Sequence, residues 1–200
     1  MKLGMFVGGA VSVALVVAAG LAAQEKKPQE AGMTLSPEAM AAMVPGPMHA
    51  HLKPLAGTWD LTLKIRMAAE EPWQESKFTA QRKLTMDGRF LEETVTGDMG
   101  GMPFEGHGII GHDNLRGEFT NIWYDNMGTG VMLGTGKADA TGKTITFEGS
   151  FSDPMSGEKN KWFKSVLKRV SDTENVYEMY MKDAKGGREF VTMEITYKKK

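Results

Sequence analysis

The sequence predicts an all-β chain: a single up-and-down antiparallel β-barrel of about ten strands, preceded by a signal peptide and a short helix. Three observations carry that reading. From Gly57 the residues alternate, with Trp59, Leu61, Leu63, Ile65 and Met67 on one face and Thr58, Asp60, Thr62, Lys64 and Arg66 on the other. Turn signals then recur at even spacing, at Asp87-Gly88, 114–117, Gly128-Thr129-Gly130, Thr141-Gly142, 153–157 and Gly186-Gly187. Finally, a long sheet with one apolar face removes its exposed edges most simply by closing on itself. A β-sandwich is the alternative.

The elements follow in order. Residues 1–23 combine Lys2 with an apolar run broken only by Ser12 and end in small residues before Gln24, the pattern of a cleaved export signal. An uncleaved membrane anchor is the competing reading, but the Gly- and Ala-rich run is weakly hydrophobic and no basic cluster follows it closely. The protein is therefore expected to be exported, to the periplasm or beyond, and free of the membrane after cleavage. Residues 24–47 form a linker whose first part is a spacer rich in Gln, Glu, Lys and Pro. Within it, Ser36-Pro37-Glu38 supplies an N-cap and a proline at the first helical position, opening a short helix that ends before Pro45. Met40, Met43 and Val44 give that helix an apolar stripe. The barrel occupies 48–200, with strands after the first near 76–86, 89–96, 104–112, 117–125, 130–137, 143–151, 159–170, 175–182 and 188–197.

One register can be worked out from the sequence. If Asp87-Gly88 is a two-residue hairpin turn, Met86 faces Arg89, Leu84 faces Leu91, Lys83 faces Glu92 and Arg82 faces Glu93. Lys83 and Glu92 fall on the polar face. Arg82 and Glu93 fall with Phe78, Ala80, Leu84, Leu91 and Val95, which places an ion pair on the inward side. Such a pair is costly in an apolar interior unless hydrogen-bonded or solvated, so it marks either a polar cavity floor or strand ends open to water. In the last hairpin, Tyr177, Met179 and Met181 and then Val191, Met193, Ile195 and Tyr197 read as inner wall, with Glu178 and Glu194 outside. The faces of 104–112, 117–125 and 159–170 are ambiguous, which leaves His107, His112, Trp123 and Trp162 unoriented.

Composition narrows the function classes. The 200-residue chain has no cysteine, which excludes disulfides, thiol catalysis and cysteine-ligated metals. Its formal net charge is −1 with both signs scattered, so no nucleic-acid surface is indicated; the terminal Lys198-Lys199-Lys200 reads as a solvated tail.

Gly57-Thr58-Trp59, opening the first strand after a helical lead-in, resembles the Gly-x-Trp signature of lipocalins and their calycin relatives. In that group the Trp plugs one barrel end and the interior holds small apolar ligands. The chain is also similar to the bacterial family called domain of unknown function 1579, from about His49 to Tyr197. The similarity runs through "HAHLKPLAGTW", "MDGRFLEE", "FEGHGIIGHDN", "FTNIWYDNMGTG" and "TFEGSFSDPMSG". It implies a calycin-like barrel with no assigned activity. The resembled family often places a histidine before the Gly-x-Trp, where His49 stands, which implies a capping or hydrogen-bonding role.

Met40, Met43, Met48, His49 and His51 have the soft and imidazole donors that suit copper, yet the chain uses 16 methionines throughout, and no carboxylate or third imidazole lies near His49 and His51. No metal or cofactor is therefore assigned. Haem would need an axial ligand facing an apolar pocket, with His107 and His112 as barrel candidates; His112, beside Asp113-Asn114, suits a turn better. No Gly-x-Ser-x-Gly or His-Glu-x-x-His is present, and an acid/base pair would have to be drawn from His107 or His112 and a neighbouring carboxylate. The leading expectation is a non-enzymatic protein that binds a small apolar or amphipathic molecule. Its assigned residues are Arg82 and Glu93 as polar anchor, with Trp59, Trp123, Tyr177 and His112. A filled structural barrel is the remaining alternative.

Overall fold

A computed structural model describes residues 35–183 and 187–200, so the expected signal peptide and spacer lie outside the described residues. Leu35–Lys200 forms one compact unit. Its strands are β1 (Gly57–Ile65), β2 (Gln74–Thr85), β3 (Phe90–Met99), β4 (Met102–Asp113), β5 (Glu118–Asp125), β6 (Met132–Ala138), β7 (Thr144–Asp153), β8 (Glu158–Arg169), β9 (Glu174–Lys182) and β10 (Glu189–Lys199). Each pairs antiparallel with its sequence neighbours, and β1 pairs with both β2 and β10 to close the barrel. Leu61 shows the closure, facing Phe78 on one side and Tyr197 on the other.

The lead-in begins with helix α1 (Pro37–Met43), where the Ser36 hydroxyl accepts from the Ala39 N–H at 3.2 Å. The expected apolar stripe does not pack inward: Met40, Met43 and Val44 are all exposed. Polar side chains of the barrel hold α1 instead. Arg89 donates to the Met43 carbonyl at 2.9 Å and the Asn114 amide to the Val44 carbonyl at 2.8 Å. Two short 3₁₀ turns, Pro47–His51 and Lys53–Leu55, then fold across one barrel end. His49 Nδ1 accepts from the Gly46 N–H at 3.0 Å, the hydrogen-bonding role its position implied.

Leu52 and Leu55 are fully buried in a cluster with Leu91, Phe119, Ile145, Phe147 and Leu167 that fills this closed end. Each such leucine contributes about 2 kcal/mol of burial. Trp59 seals the junction. Its indole N–H donates to the Leu55 carbonyl at 3.0 Å, and its ring meets Tyr197 edge-on at 6.4 Å. The preceding glycine has a physical reason: Gly57 sits at φ 137°, and a Cβ there would meet the Lys199 side chain at 2.8 Å.

Two details depart from simple alternation. β1 stops at Ile65, so Met67 is an exposed loop residue rather than the last of the inner row. In β10 a bulge at Thr192 breaks the register, with its hydroxyl donating to the Arg66 carbonyl at 2.7 Å. Val191 consequently faces Tyr180 on the outside instead of joining Met193, Ile195 and Tyr197.

Candidate functional site

The inward rows of the strands do not fill the barrel. Above the closed end lies a cavity of about 290 Å³ whose wall is mainly apolar, including Leu61, Phe78, Val95, Phe104, Met179 and Ile195. Met99, Met127 and Met132 also line it, and Met127 is exposed, which places flexible thioethers at the mouth.

At the cavity floor the expected ion pair is present. β2 and β3 place Arg82 opposite Glu93, Lys83 opposite Glu92 and Leu84 opposite Leu91. The turn that sets this register is closed by the Arg89 N–H bonding to the Met86 carbonyl at 3.3 Å, with Asp87 and Gly88 both at positive φ. Arg82 Nε donates to Glu93 Oε1 at 2.8 Å, with side-chain exposures of 3% and 12%. The strand-end alternative therefore fails: this pair is buried, whereas Lys83 and Glu92 form their 3.5 Å pair on the outside.

The guanidinium is held from a third side by Tyr197, whose ring centroid lies 3.9 Å from its central carbon. Burial pushes the Tyr197 phenol above its ordinary range, and the Glu93 carboxylate pushes the same way while Arg82 opposes it. Burial also raises the Tyr177 phenol. Both phenols therefore stay protonated near neutral pH. Arg82 itself is held charged by Glu93 and Tyr197 against the opposing effect of burial. Among the described residues, Arg82 Nη1 is buried with no hydrogen-bond partner, which costs the folded state stability.

The glycine-rich strand β4 explains how the opposite wall is shaped. A Cβ on Gly106 would collide with the Trp123 ring at 2.4 Å, and one on Gly108 would sit 3.3 Å from that ring and 3.5 Å from Glu93 Oε2. These glycines let Trp123 lie flat along the wall with its N–H on Asp125 at 2.8 Å. β4 pairs with both neighbours here without a register shift, so close approach, not a bulge, is their purpose.

Of the six residues singled out from sequence, Arg82, Glu93, Trp123 and Tyr177 line the cavity. Trp59 and His112 do not. Trp59 belongs to the closed end, because its ring is fully buried against Tyr197. His112 faces Phe119 across β4 and β5, packs edge-on against it at 4.8 Å and lies 5.6 Å from His49, under the lead-in. His112 and His49 border a second hollow, about 410 Å³, between α1 and the outer faces of β4 and β5. Its polar groups Arg89 and Asn114 are already committed to tethering α1. His107 points outward, stacked on Tyr124 and bonded to Glu105 at 2.9 Å. Neither barrel histidine lines the cavity, so neither offers an axial ligand or an acid/base pair there. Among the described residues, no group of three or more His, Asp or Glu is placed to hold a metal.

Sequence reasoning missed Asn121, Gly108 and the mouth methionines. β5 carries Phe119, Asn121, Trp123 and Asp125 on one face and Thr120, Ile122 and Tyr124 on the other, and both rows mix polar with apolar. Tyr197 reads as inner wall from the sequence, but its contact with Arg82 crosses the β1–β10 closure, which no local pattern marks.

Comparison with known proteins agrees with the architecture. The chain is similar to the crystal structure of Rv2717c from M. tuberculosis, with TM-score 0.57 and 16% identity over 78% of this chain and 98% of that one. It is also similar to a redesigned β-barrel, b11L5F_LGL, with TM-score 0.39 and 16% identity over 75% of this chain and 95% of that one. No curated protein sequence matches it. The sequence model of one family, described as "Protein of unknown function (DUF1579)", spans residues 44–199, the 3₁₀ lead-in and all ten strands, and the chain belongs to that family.

Proposed function

We propose that the protein binds a small apolar or amphipathic molecule inside its barrel, with the Arg82–Glu93 pair as polar anchor. The observation that carries this reading is the combination of a mostly apolar cavity and a buried ion pair in its wall. A filled structural barrel has no use for either, because an empty volume forfeits dispersion contacts and a buried ion pair costs desolvation. At about 290 Å³ the cavity lies at the small end of ligand pockets.

An uncharged environment-sensitive dye small enough for that volume, 1-aminonaphthalene, tests this directly. Its fluorescence should rise on mixing with the protein, and Gly108→Leu should abolish that rise. The new side chain would project beside Trp123 and Glu93 into the cavity, while far-ultraviolet circular dichroism keeps its β-sheet form. If Gly108→Leu binds the dye as well as the parent does, the dye sits elsewhere and the interior reading fails.

A further inference from the structure

We propose that the cavity selects a ligand whose polar head is uncharged, a carbonyl or hydroxyl oxygen on a short apolar body, and rejects carboxylate and phosphate heads. The inference rests on the interior-binding reading and names its ligand class. It follows from how charge is distributed over the wall. Arg82 and Glu93 are joined at 2.8 Å and cancel one another. The other ionisable carboxylate lining the cavity, Asp125, accepts from the Trp123 indole at 2.8 Å and from the Met127 N–H at 3.0 Å. Tyr177 and Tyr197 contribute neutral phenols, held protonated by burial.

An anionic head entering this space would compete with Glu93 for a guanidinium already paired, and would leave one negative charge uncompensated among apolar side chains. Asp125 adds repulsion. An uncharged oxygen avoids both penalties, since it leaves the Arg82–Glu93 bond intact and adds no net charge. The body is bounded by volume: about 290 Å³ holds on the order of ten water- or methylene-sized groups at roughly 30 Å³ each.

Four probes with bodies of matched length separate the possibilities by calorimetric titration at one pH and ionic strength: octanol, methyl hexyl ketone, octanoate and octyl phosphate. The two uncharged probes should bind roughly tenfold or more tightly than either ion. In Glu93→Gln, which keeps an oxygen for Arg82 but removes the cancelling charge, octanoate should gain roughly tenfold and close the gap to octanol. Octanoate binding the parent protein as tightly as octanol overturns the proposal and leaves interior binding standing. An uncharged preference that Glu93→Gln does not shift also overturns it, because the cancellation would then not be the cause. Binding by none of the four removes the interior reading, and the proposal with it. Should Glu93→Gln fail to fold, the four-probe series on the parent protein decides alone.

Discussion

Arg82 is the residue on which the interior depends most. Its charge is almost wholly out of water, so its partner matters more than its own side chain. Replacing it alone, as Arg82→Leu, strands the Glu93 carboxylate in an apolar wall, a loss of about 3–5 kcal/mol. Replacing both, as Arg82→Leu with Glu93→Leu, removes the burden with the charge and should stay within about 2 kcal/mol of the parent. Thermal unfolding followed by circular dichroism reads the contrast: the single variant melts roughly ten degrees lower, while the double variant melts close to the parent. Equal melting of the two would mean that the residues are not coupled. The pair was legible in the sequence because Asp87-Gly88 fixes a register and the register fixes the rest. The open Nη1 and the Tyr197 contact were not, since both depend on distances across the barrel.

Among the elements, the short helix of the lead-in was legible, because Ser36-Pro37-Glu38 marks its start, while the docking of the lead-in was not. Met48, Leu52 and Leu55 cover one barrel end, packed against residues far away in the chain. The stripe on α1 looked equally apolar yet stays exposed, because polar contacts to its carbonyls from Arg89 and Asn114 fix where it lies. Val191 was misplaced for a different reason: a single bulged residue reverses the phase of alternation, and nothing in the sequence marks Thr192 as that residue.

The lead-in also carries a pH dependence. Burial, and next the neighbouring His112, hold the His49 pKa below the ordinary histidine value. The unfolded state therefore binds the proton more readily than the folded one. The stabilisation is complete above about pH 6.5 and is lost as pH falls from that value toward the folded pKa. Protonating Nδ1 also breaks the bond from the Gly46 N–H. The melting temperature should drop as pH falls from about 7.5 to about 5.5, and His49→Asn should flatten that drop. An equal drop in both proteins would assign the effect to other groups.

For the molecule as a whole, closure does two things at once. It removes both sheet edges by pairing β1 with β10, and it encloses a volume that the inward side chains do not fill. The barrel was legible because ten alternating segments separated by turn residues leave few other arrangements. Whether it was hollow was not, because that depends on how the inward rows mesh, on glycines such as Gly106 and Gly108, and on where Trp123 lies. The claim that joins fold to function is that the unfilled volume and the buried ion pair in its wall form one binding site. A crystal structure of the protein with methyl hexyl ketone tests it most directly. The account predicts the ketone inside the barrel, its carbonyl end toward Arg82 and Glu93 and the Arg82–Glu93 bond intact. A cavity closed by side chains, or a ketone bound only in the outer groove beside α1, would contradict it.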